Sequence, residues 1–390
     1  MLCAPGNAGI GEQARRLDIS VDDLDGLVAA AERERVSLVV VGPEAPLVAG
    51  LADRLHRAAI RCFGPSAAAA ALEGSKAFCK EVMAAAGVPT AAYHVVTEAA
   101  AGMAAIERYP VVIKADGLAA GKGVIIAQDE AEARRGLEEL LVARRFGTER
   151  VVVEEHLDGY ELSLLALCDG RNAVPLASAQ DYKRIFDGDR GPNTGGMGSY
   201  SPVAAVDAGR ARELTRAIHQ PVLDELARRG SPFHGVLYAG LMMTAEGPRV
   251  LEFNARFGDP ETQAILPRLR TDLLALMDAT VEPDGLNGAR LDWVPEVAVT
   301  VVLASRGYPE RASSGEVITG LDRVPDGVRV THAATARSED GSLVTAGGRV
   351  LGVTALGVDA AAARAAAYAA ADMIEFDGKQ MRRDIALRVY

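Results

Sequence analysis

The sequence predicts an α/β protein made of an N-terminal parallel α/β domain, a mixed central region and a C-terminal β-rich lobe. Residues 21–74 alternate helical and strand patterns, as parallel βαβ units do. The central region combines short β-branched strands with single helices, and from Val297 onwards short strands with glycine turns precede one alanine-rich helix. A chain of 390 residues is long enough for about two to four globular units.

Composition excludes several classes of function. Hydrophobic residues make up 49% of the chain, so a sizeable core can form. The net charge of −11 argues against nucleic-acid and membrane-surface partners, and no apolar run reaches the ~18–20 residues of a membrane span. The four cysteines and six histidines are dispersed, which indicates reduced thiols, a cytoplasmic protein and no zinc site. We therefore expect small-molecule substrates, with anions bound by local loops.

The N-terminal elements include a helical pattern, VDDLDGLVAAAERER, followed by the apolar run VSLVVVGPEAPL. This run predicts a strand that is buried on both faces of a parallel sheet and ended by Gly42 and Pro43. The next clear pattern is GSKAFCKEVMAAAGVP, which predicts one helix ended by Gly87 and Pro89.

The stretch KADGLAAGKGV, which begins at Lys114, looks like a phosphate-binding P-loop but fails its requirements. A P-loop needs four residues between its glycines, a Ser or Thr after the lysine and a following helix. Here three residues separate Gly117 from Gly121, Gly123 follows Lys122, and the strand pattern VIIA comes next. The sequence therefore predicts a mobile glycine-rich hairpin whose lysines bind phosphate, with an ordinary hairpin carrying solvated lysines as the alternative.

A second motif, VLEFNARFGDPETQ, places polar residues on one face of a strand. Glu252 and Asn254 share that face about 7 Å apart, and Arg256 continues it. Leu251 and Phe253 face the core. Carboxylate and amide oxygens are ligands that Mg²⁺ accepts alongside phosphates and water. The alternative is an ordinary polar strand at the surface.

Other stretches give weaker evidence of function when each is taken alone. RVVVEEHLDGYELS ends a buried strand in carboxylates, so its backbone could meet an adenine edge and Glu161 could bind ribose; solvated acids at a strand end are the alternative. DGDRGPNTGGMGSYSP is too long and too polar for a simple turn. In the C-terminal lobe, GEVITG, VRVTHAATA and GRVLGVTALG predict strands, and DAAAARAAAYAAADMIEF predicts a helix.

Several motifs, in this order, resemble those of one known family. They are APGNAG, VGPEAPL, GSKAFCK, KADGLAAGKGV, VVEEHLDG, PNTGGMGSYSP, EFNARFGDPETQ and GGRVLGVTALG. Together they resemble the phosphoribosylamine–glycine ligases, or glycinamide ribonucleotide synthetases, of the ATP-grasp superfamily. The resemblance covers essentially the whole chain, and PNTGGMG with EFNARFGDPETQ is its most specific part.

The resemblance implies an ATP-grasp fold and an ATP-dependent ligation in purine biosynthesis. Glycine and 5-phosphoribosylamine would give glycinamide ribonucleotide, ADP and phosphate through glycyl phosphate, with Mg²⁺ or Mn²⁺ as the metal. We expect a monomer. The alternatives are another ATP-grasp carboxylate–amine ligase and an inactive, truncated nucleotide-binding chain.

Matching the family's motifs assigns roles to residues of this chain. Glu252 and Asn254 would hold the metal. The catalytic residues would be Arg256, on the acyl phosphate, and Lys114, on the phosphates of ATP. The other residues expected to bind ATP are Lys76 or Lys80, Gly117, Gly121, Lys122, Gly123, Glu154, Glu155, Leu157 and Glu161. Those expected to line the phosphoribosylamine and glycine side are Glu44, Asp181, Lys183, Asn193, Thr194 and Gly195.

The resemblance also implies domain boundaries and shows one departure. The expected domains are an N-terminal α/β (pre-ATP-grasp) domain at 1–74, a central ATP-grasp domain at 75–93 and 164–298, a small ATP-grasp lid domain at 94–163 and a C-terminal domain at 299–390. Family members begin with a strand and a loop of the form GxGGREHA before APGNAG, whereas this chain begins MLCAPGNAG. We therefore expect the first strand and the glycine-rich loop to be missing, through a misplaced start codon or a genuine truncation.

Overall fold

The N-terminal region forms two short pairs of parallel strands in the computed structural model, which describes residues 1–119 and 123–389. Its elements are β1 (Leu2–Cys3), β2 (Arg15–Arg16), α1 (Leu24–Arg33), β3 (Val39–Val40), α2 (Glu44–Val48), α3 (Leu51–Arg57), β4 (Cys62–Phe63) and α4 (Ala67–Gly74). β1 pairs with β2, and β3 pairs with β4. The strand predicted in VSLVVVGPEAPL is present, but its predicted burial on both faces is wrong. β3 has two residues and pairs with β4 alone among the described strands, and Val40 is 46% exposed.

The next region forms an antiparallel sheet in the order β5-β8-β6-β7. Its elements are α5 (Lys76–Ala86), β5 (Tyr93–Val96), α6 (Ala99–Ala104), β6 (Val111–Ala115), β7 (Val124–Ala127), α7 (Glu130–Leu137) and β8 (Val151–Glu155). The predicted end of α5 is confirmed: Gly87 caps it with a φ of +67°, a left-handed conformation that favours glycine. The predicted hairpin is confirmed too, because β6 and β7 are adjacent antiparallel strands.

A second antiparallel sheet, in the order β10-β9-β15-β16, carries the predicted metal strand. Its elements and the neighbouring helices are β9 (Tyr160–Asp169), β10 (Ala173–Pro175), α8 (Ala208–Arg228), β15 (His234–Thr244), β16 (Gly247–Asn254), α9 (Glu261–Ile265) and α10 (Leu273–Thr280). One hydrophobic core joins this sheet to the N-terminal helices and to the C-terminal region, whereas the first sheet packs a separate core with α7. The strand with the predicted metal ligands, β16, therefore packs on this large shared core.

A third sheet joins the glycine-rich segment to the C-terminal region, in the order β11-β14-β17-β21-β18. The elements here are β11 (Gln180–Asp181), β12 (Arg184–Phe186), β13 (Arg190–Asn193), β14 (Gly198–Ser201), β17 (Val297–Ala304), β18 (Arg329–His332), β19 (Thr335–Arg337), β20 (Leu343–Thr345), β21 (Arg349–Gly357) and α11 (Ala360–Met373). β12 pairs with β13, β19 pairs with β20, and α11 packs on β17 and β21.

The strand predicted in GEVITG is wrong. Val317 bridges to Val344 and Thr319 bridges to Glu375, so neighbouring positions pair with different segments and no ladder forms. The strands predicted in VRVTHAATA and GRVLGVTALG are confirmed as β18 with β19 and as β21. Within residues 1–119 and 123–389, no helix combines the length and the apolar character needed to cross a bilayer.

Candidate active site

The glycine-rich hairpin between β6 and β7 begins with a buried lysine. Lys114, 5% exposed, lies in β6 opposite Val124 of β7. Gly117 has a φ of +134°, which an L side chain rarely adopts, and a Cβ on Gly123 would lie 2.7 Å from Cβ of Ala119. Strand β7 follows where a P-loop would have a helix, so the structure excludes the P-loop. Two residues predicted to bind ATP, Gly121 and Lys122, lie outside the described residues.

Lys80, Lys114 and Glu154 form a buried cluster, here called the lysine–glutamate cluster. Nζ of Lys80 lies 3.2 Å from Oε1 of Glu154, and Nζ of Lys114 lies 3.0 Å from Oε2. The lysines also donate to the β16 side: Lys114 to the carbonyl of Leu251 at 3.0 Å, and Lys80 to the hydroxyl of Thr90 at 2.7 Å. Burial lowers the pKa of Lys80, although Glu154 opposes this. Two ammonium groups face one carboxylate, which suits a site for a polyanion.

The predicted metal ligands lie side by side on β16. Glu252 pairs with Gly240 of β15, and Asn254 pairs with Tyr238. Nζ of Lys76 lies 4.0 Å from Oε2 of Glu252. Burial would raise the pKa of Glu252, but four cations, Lys76, Lys183, Lys114 and Arg256, together lower it to about 2.

The donor set on β16 fits a hard cation. Glu252 is ionised at neutral pH, and the Asn254 side chain makes no hydrogen bond to any residue of the described ranges. A carboxylate oxygen and a free amide oxygen on one strand face are therefore available to Mg²⁺ or Mn²⁺. The surrounding cations also suit the phosphate groups that such a metal accompanies.

Arg256 is held by two carboxylates from the N-terminal region. Strand β16 ends at Asn254, so the expectation that Arg256 continues the strand face is wrong, and Arg256 lies in the bend that follows. Its Nε donates to Oε2 of Glu44 at 3.0 Å, and its Nη2 lies 3.0 Å from Oε1 of Glu73. Its Nη1 donates to the carbonyl of Phe257 at 3.1 Å. The guanidinium plane is thus fixed at the end of β16.

Glu73 is a site residue that the sequence reasoning missed. It lies in the last turn of α4, is 4% exposed, and accepts a 2.7 Å hydrogen bond from the backbone N–H of Ala255. Burial, opposed by Arg256 and by that hydrogen bond, raises the pKa of Glu73 to about 7. The only available signal was a single carboxylate at the end of the apolar helix AAAAALEG.

The predicted phosphoribosylamine and glycine side forms around Lys183. Its Nζ lies 2.5 Å from Oε2 of Glu161, which was expected to bind ribose. Burial would lower the pKa of Lys183, but Glu161 and Asp181 raise it well above its ordinary value. Burial also raises the pKa of Asp181 to about 8. Glu261, which the sequence reasoning missed, accepts from Tyr238 at 2.7 Å beside this group.

The PNTGG loop is connected to the C-terminal region. Thr194 closes the loop by donating its N–H and its hydroxyl to the carbonyl of Lys183, at 2.8 and 2.7 Å. The N–H of Gly195 donates to Tyr308 at 3.0 Å, and the carbonyl of Gly195 accepts from Arg349 at 2.6 Å. Arg349 also pairs with Asp259 at 3.0 Å. The predicted residues Asn193, Thr194 and Gly195 therefore lie on a loop held from the C-terminal side.

The predicted adenine segment follows β8. The side chain of Glu154 faces the lysines, and that of Glu155 accepts from the N–H of Ala92 at 2.9 Å. The backbone N–H of Glu155 donates to the carbonyl of Ala92 at 3.0 Å. Leu157 lies beyond the strand, and its N–H has no backbone acceptor within the described ranges. Of these backbone donors, the one at Leu157 is available to a ligand.

Comparison with known families decides the identity. Models of the three parts of phosphoribosylglycinamide synthetase match the chain: the N domain at residues 1–73, the ATP-grasp (A) domain at 74–262 and the C domain at 298–388. The chain belongs to the phosphoribosylglycinamide synthetase family. The predicted ATP-grasp fold and the predicted ligase class are thereby confirmed.

Relatives and solved structures agree with this membership. The chain is 50% identical over 395 residues to the phosphoribosylamine–glycine ligase of Xanthomonas axonopodis pv. citri, covering 100% of this chain and 91% of the relative. It is 52% identical over 392 residues to that of Streptomyces coelicolor, with coverages of 99% and 92%. The crystal structure of the Thermotoga maritima phosphoribosylamine–glycine ligase matches with a TM-score of 0.83 and 35% identity, covering 98% of this chain and 93% of that one.

A more distant structure shows the fold alone. The biotin carboxylase domain of Hydrogenobacter thermophilus 2-oxoglutarate carboxylase, solved with MgADP, matches with a TM-score of 0.73 and 18% identity. It covers 97% of this chain and 85% of that chain. The ATP-grasp architecture is therefore shared well beyond the family.

Proposed function

We propose that this ligase joins glycine to 5-phosphoribosylamine at the end of β16, using ATP and releasing glycinamide ribonucleotide, ADP and phosphate. The observation that carries the proposal is the setting of Glu252. This one ionised carboxylate, next to the amide of Asn254, is surrounded by the cations of four different segments. Family membership does not favour another carboxylate–amine ligase or an inactive chain.

The two sides of this centre have different tasks in the proposal. Lys80 and Lys114 exchange contacts with Glu154 for contacts with ATP phosphates, and the loop after β8 receives the base. Glu252 and Asn254 would hold Mg²⁺ or Mn²⁺, which when bound neutralises phosphate charge. Lys76, 4.0 Å from Glu252, adds a cation on the same face.

The chemical steps need positioning and charge neutralisation more than a protein nucleophile. A glycine carboxylate oxygen attacks the γ-phosphorus, the bond to ADP breaks, and glycyl phosphate forms. The amine nitrogen of phosphoribosylamine then attacks the carbonyl carbon, loses a proton and displaces phosphate. Arg256, fixed by Glu44 and Glu73, faces the charge that develops on the acyl phosphate.

The test is ADP release by the purified chain with glycine and freshly made phosphoribosylamine, each omitted in turn. ADP release should require both substrates. Glu252→Ala and Asn254→Ala should each reduce kcat at least about 10²-fold and raise the metal concentration needed for half-maximal rate. Glu246→Ala is the control, because Glu246 lies in the exposed turn before β16. Release without glycine, or full turnover in both β16 variants, would reject the proposal.

The proposal also covers the setting of the enzyme. We propose a cytoplasmic protein, because its four cysteines are free thiols, and we propose that it acts as a monomer. Light scattering after size exclusion should give the mass of one chain, 40.9 kDa. A dimer mass at micromolar concentration would refute the monomer.

A further inference from the structure

A buried arginine near the C-terminus has no role in the function described so far. Arg382 is 1% exposed, and it lies in the segment 380–388, here called the C-terminal tail. Its guanidinium makes a two-point contact with Asp384, at 2.7 and 2.6 Å. A charged side chain this deeply buried is held where nearly all its donors find acceptors.

The other contacts of Arg382 reach a hairpin about 200 residues earlier in the chain. Residues 181–195, here called the substrate hairpin, contain β12 and β13. Nη1 of Arg382 donates to the carbonyl of Arg184 at 3.1 Å and to Asp189 at 2.8 Å, across 198 and 193 residues. The guanidinium carbon lies 5.0 Å from the ring centroid of Tyr182. Arg382 thus contacts the hairpin at its start and near its tip.

The tail backbone strengthens the same connection. The N–H of Arg383 donates to Asp187 at 2.7 Å, and the N–H of Gly188 donates to Asp384 at 2.8 Å. The N–H of Ala386 donates to the hydroxyl of Tyr182 at 3.0 Å. Asp189 of the hairpin and Asp384 of the tail therefore converge on Arg382, and Asp187 of the hairpin binds the tail backbone at the next residue.

The hairpin has few apolar contacts of its own. Ile185 lies in a small buried cluster with Met197 and Ala304, and Tyr182 packs against the main hydrophobic core. A two-stranded hairpin is marginally stable in water, so polar contacts decide its conformation. Both ends of the hairpin carry residues that the proposed function places on the substrate side, namely Asp181, Lys183, Asn193, Thr194 and Gly195.

We propose that Arg382 is a positioning residue for the phosphoribosylamine and glycine side of the site. It holds the substrate hairpin in the conformation that places Lys183 against Glu161 and the PNTGG loop against Lys183. The inference rests on the proposed function, because it needs those residues to bind substrate. Arg382 has no part in nucleotide binding in this proposal, because the lysine–glutamate cluster lies on α5, β6 and β8, outside the substrate hairpin.

The test compares Arg382→Lys with Arg383→Lys. Lysine keeps the charge of Arg382 but cannot contact Asp384, Asp189 and the Arg184 carbonyl together. The side chain of Arg383 pairs with the exposed Asp372 and serves as the control. We expect Arg382→Lys to raise the KM for phosphoribosylamine or glycine about tenfold. The Kd for ATP measured by calorimetry should stay within about twofold, and Arg383→Lys should leave all these constants unchanged.

A loss of folding alone would give a different result. It would lower the active fraction, and with it the apparent kcat, while leaving each KM unchanged. If Arg382→Lys does not fold, Asp189→Gly provides the measurement, because Asp189 is exposed and its φ of +52° suits glycine. It should raise the same KM by a smaller factor. Unchanged KM values in the folded variant would overturn the proposal.

One more variant separates this inference from the proposed function. Lys183→Gln removes a charge assigned directly to the substrate side. If Lys183→Gln raises the substrate KM and the Arg382 and Asp189 variants do not, the positioning role fails and the assignment of the site stands. If Lys183→Gln also leaves every KM unchanged, the substrate-side assignment fails, and the inference fails with it.

Discussion

The nucleotide side and the substrate side of the proposed site are built in different ways. On the nucleotide side, Lys80, Lys114 and Glu154 are almost fully buried and form ion pairs across neighbouring elements. On the substrate side, Lys183 and the PNTGG loop lie on a polar hairpin that depends on Arg349 and Arg382 from the C-terminal region. The charged groups of the nucleotide side are therefore already in place in the folded chain. The geometry of the substrate side depends on contacts with residues of the C-terminal region.

The largest effect on stability should come from the nucleotide side. Glu154→Gln leaves two buried ammonium groups without their carboxylate, and breaking a buried ion pair typically costs about 3–5 kcal/mol. Urea unfolding should show this loss, and saturating ATP should recover more stability in the variant than in the wild type. Glu155→Gln is the neighbouring control, since Glu155 is partly exposed and should lose under about 1 kcal/mol. Equal losses in the two variants would contradict the view that buried, preformed charge at Glu154 stabilises the nucleotide side.

The largest effect on turnover should come from the centre between the sides. Arg256→Lys cannot keep the contacts to Glu44, Glu73 and the Phe257 carbonyl together, so we expect kcat to fall roughly 10²-fold with little change in thermal stability. Arg249→Lys, on the same strand, should stay within about twofold of the wild type. A normal kcat in Arg256→Lys would show that Arg256 does not face the reacting groups.

Glu73 should give the centre a pH dependence. Burial raises its pKa from 4.5 to about 7, so between these values the folded chain binds a proton that the unfolded chain has lost. The contribution of Glu73 to the free energy of unfolding therefore declines as pH rises from about 4.5 to 7. Glu73→Gln does not titrate, so its stability relative to the wild type should rise across this window, and Glu81→Gln, on the exposed face of α5, should show no such trend.

The same titration should appear in the rate. Ionised Glu73 pairs with Arg256, so wild-type kcat should fall as the pH drops below about 7. The pH profile of Glu73→Gln should not show this fall in kcat. If kcat of Glu73→Gln falls in the same way at low pH, another group causes the fall.

The smallest expected effect concerns the glycine-rich hairpin. Gly117→Ala places a side chain at a φ of +134°, which costs about 1–3 kcal/mol and should raise the KM for ATP severalfold. Gly87→Ala is the matched control, because Gly87 also has a positive φ but caps α5. It should lower stability without changing the KM for ATP. A change in the KM for phosphoribosylamine in Gly117→Ala would contradict the division into two sides.

Local elements could be predicted from the sequence because their signals are local. The end of α5 at Gly87, the β6–β7 hairpin and strand β16 all follow from short patterns. The burial of β3 was wrong because an apolar run does not show how many strands pair beside it. GEVITG was wrong because its apolar residues bridge to two separate segments.

Two of the missed residues, Glu73 and Arg382, have partners that are far away in the sequence. Glu73 contacts Ala255 across 182 residues, and Arg382 contacts Arg184 across 198. No periodic pattern links positions at such separations, so these contacts become visible only in the folded chain. Lys80, Lys114, Glu252 and Arg256 could be proposed from the sequence because each lies in a motif of the family.

The most direct test of the two-sided account is a comparison of Lys114→Met with Lys183→Gln. The KM for each substrate is measured by ADP release, and the Kd for ATP is measured in parallel. The account predicts that Lys114→Met weakens ATP binding and leaves the KM for phosphoribosylamine near the wild-type value. Lys183→Gln should raise the KM for phosphoribosylamine or glycine by a larger factor than it changes the Kd for ATP, because its partner Glu161 is expected at the ribose. If both variants change the same substrate's KM and leave the other's unchanged, the division into a nucleotide side and a substrate side is wrong.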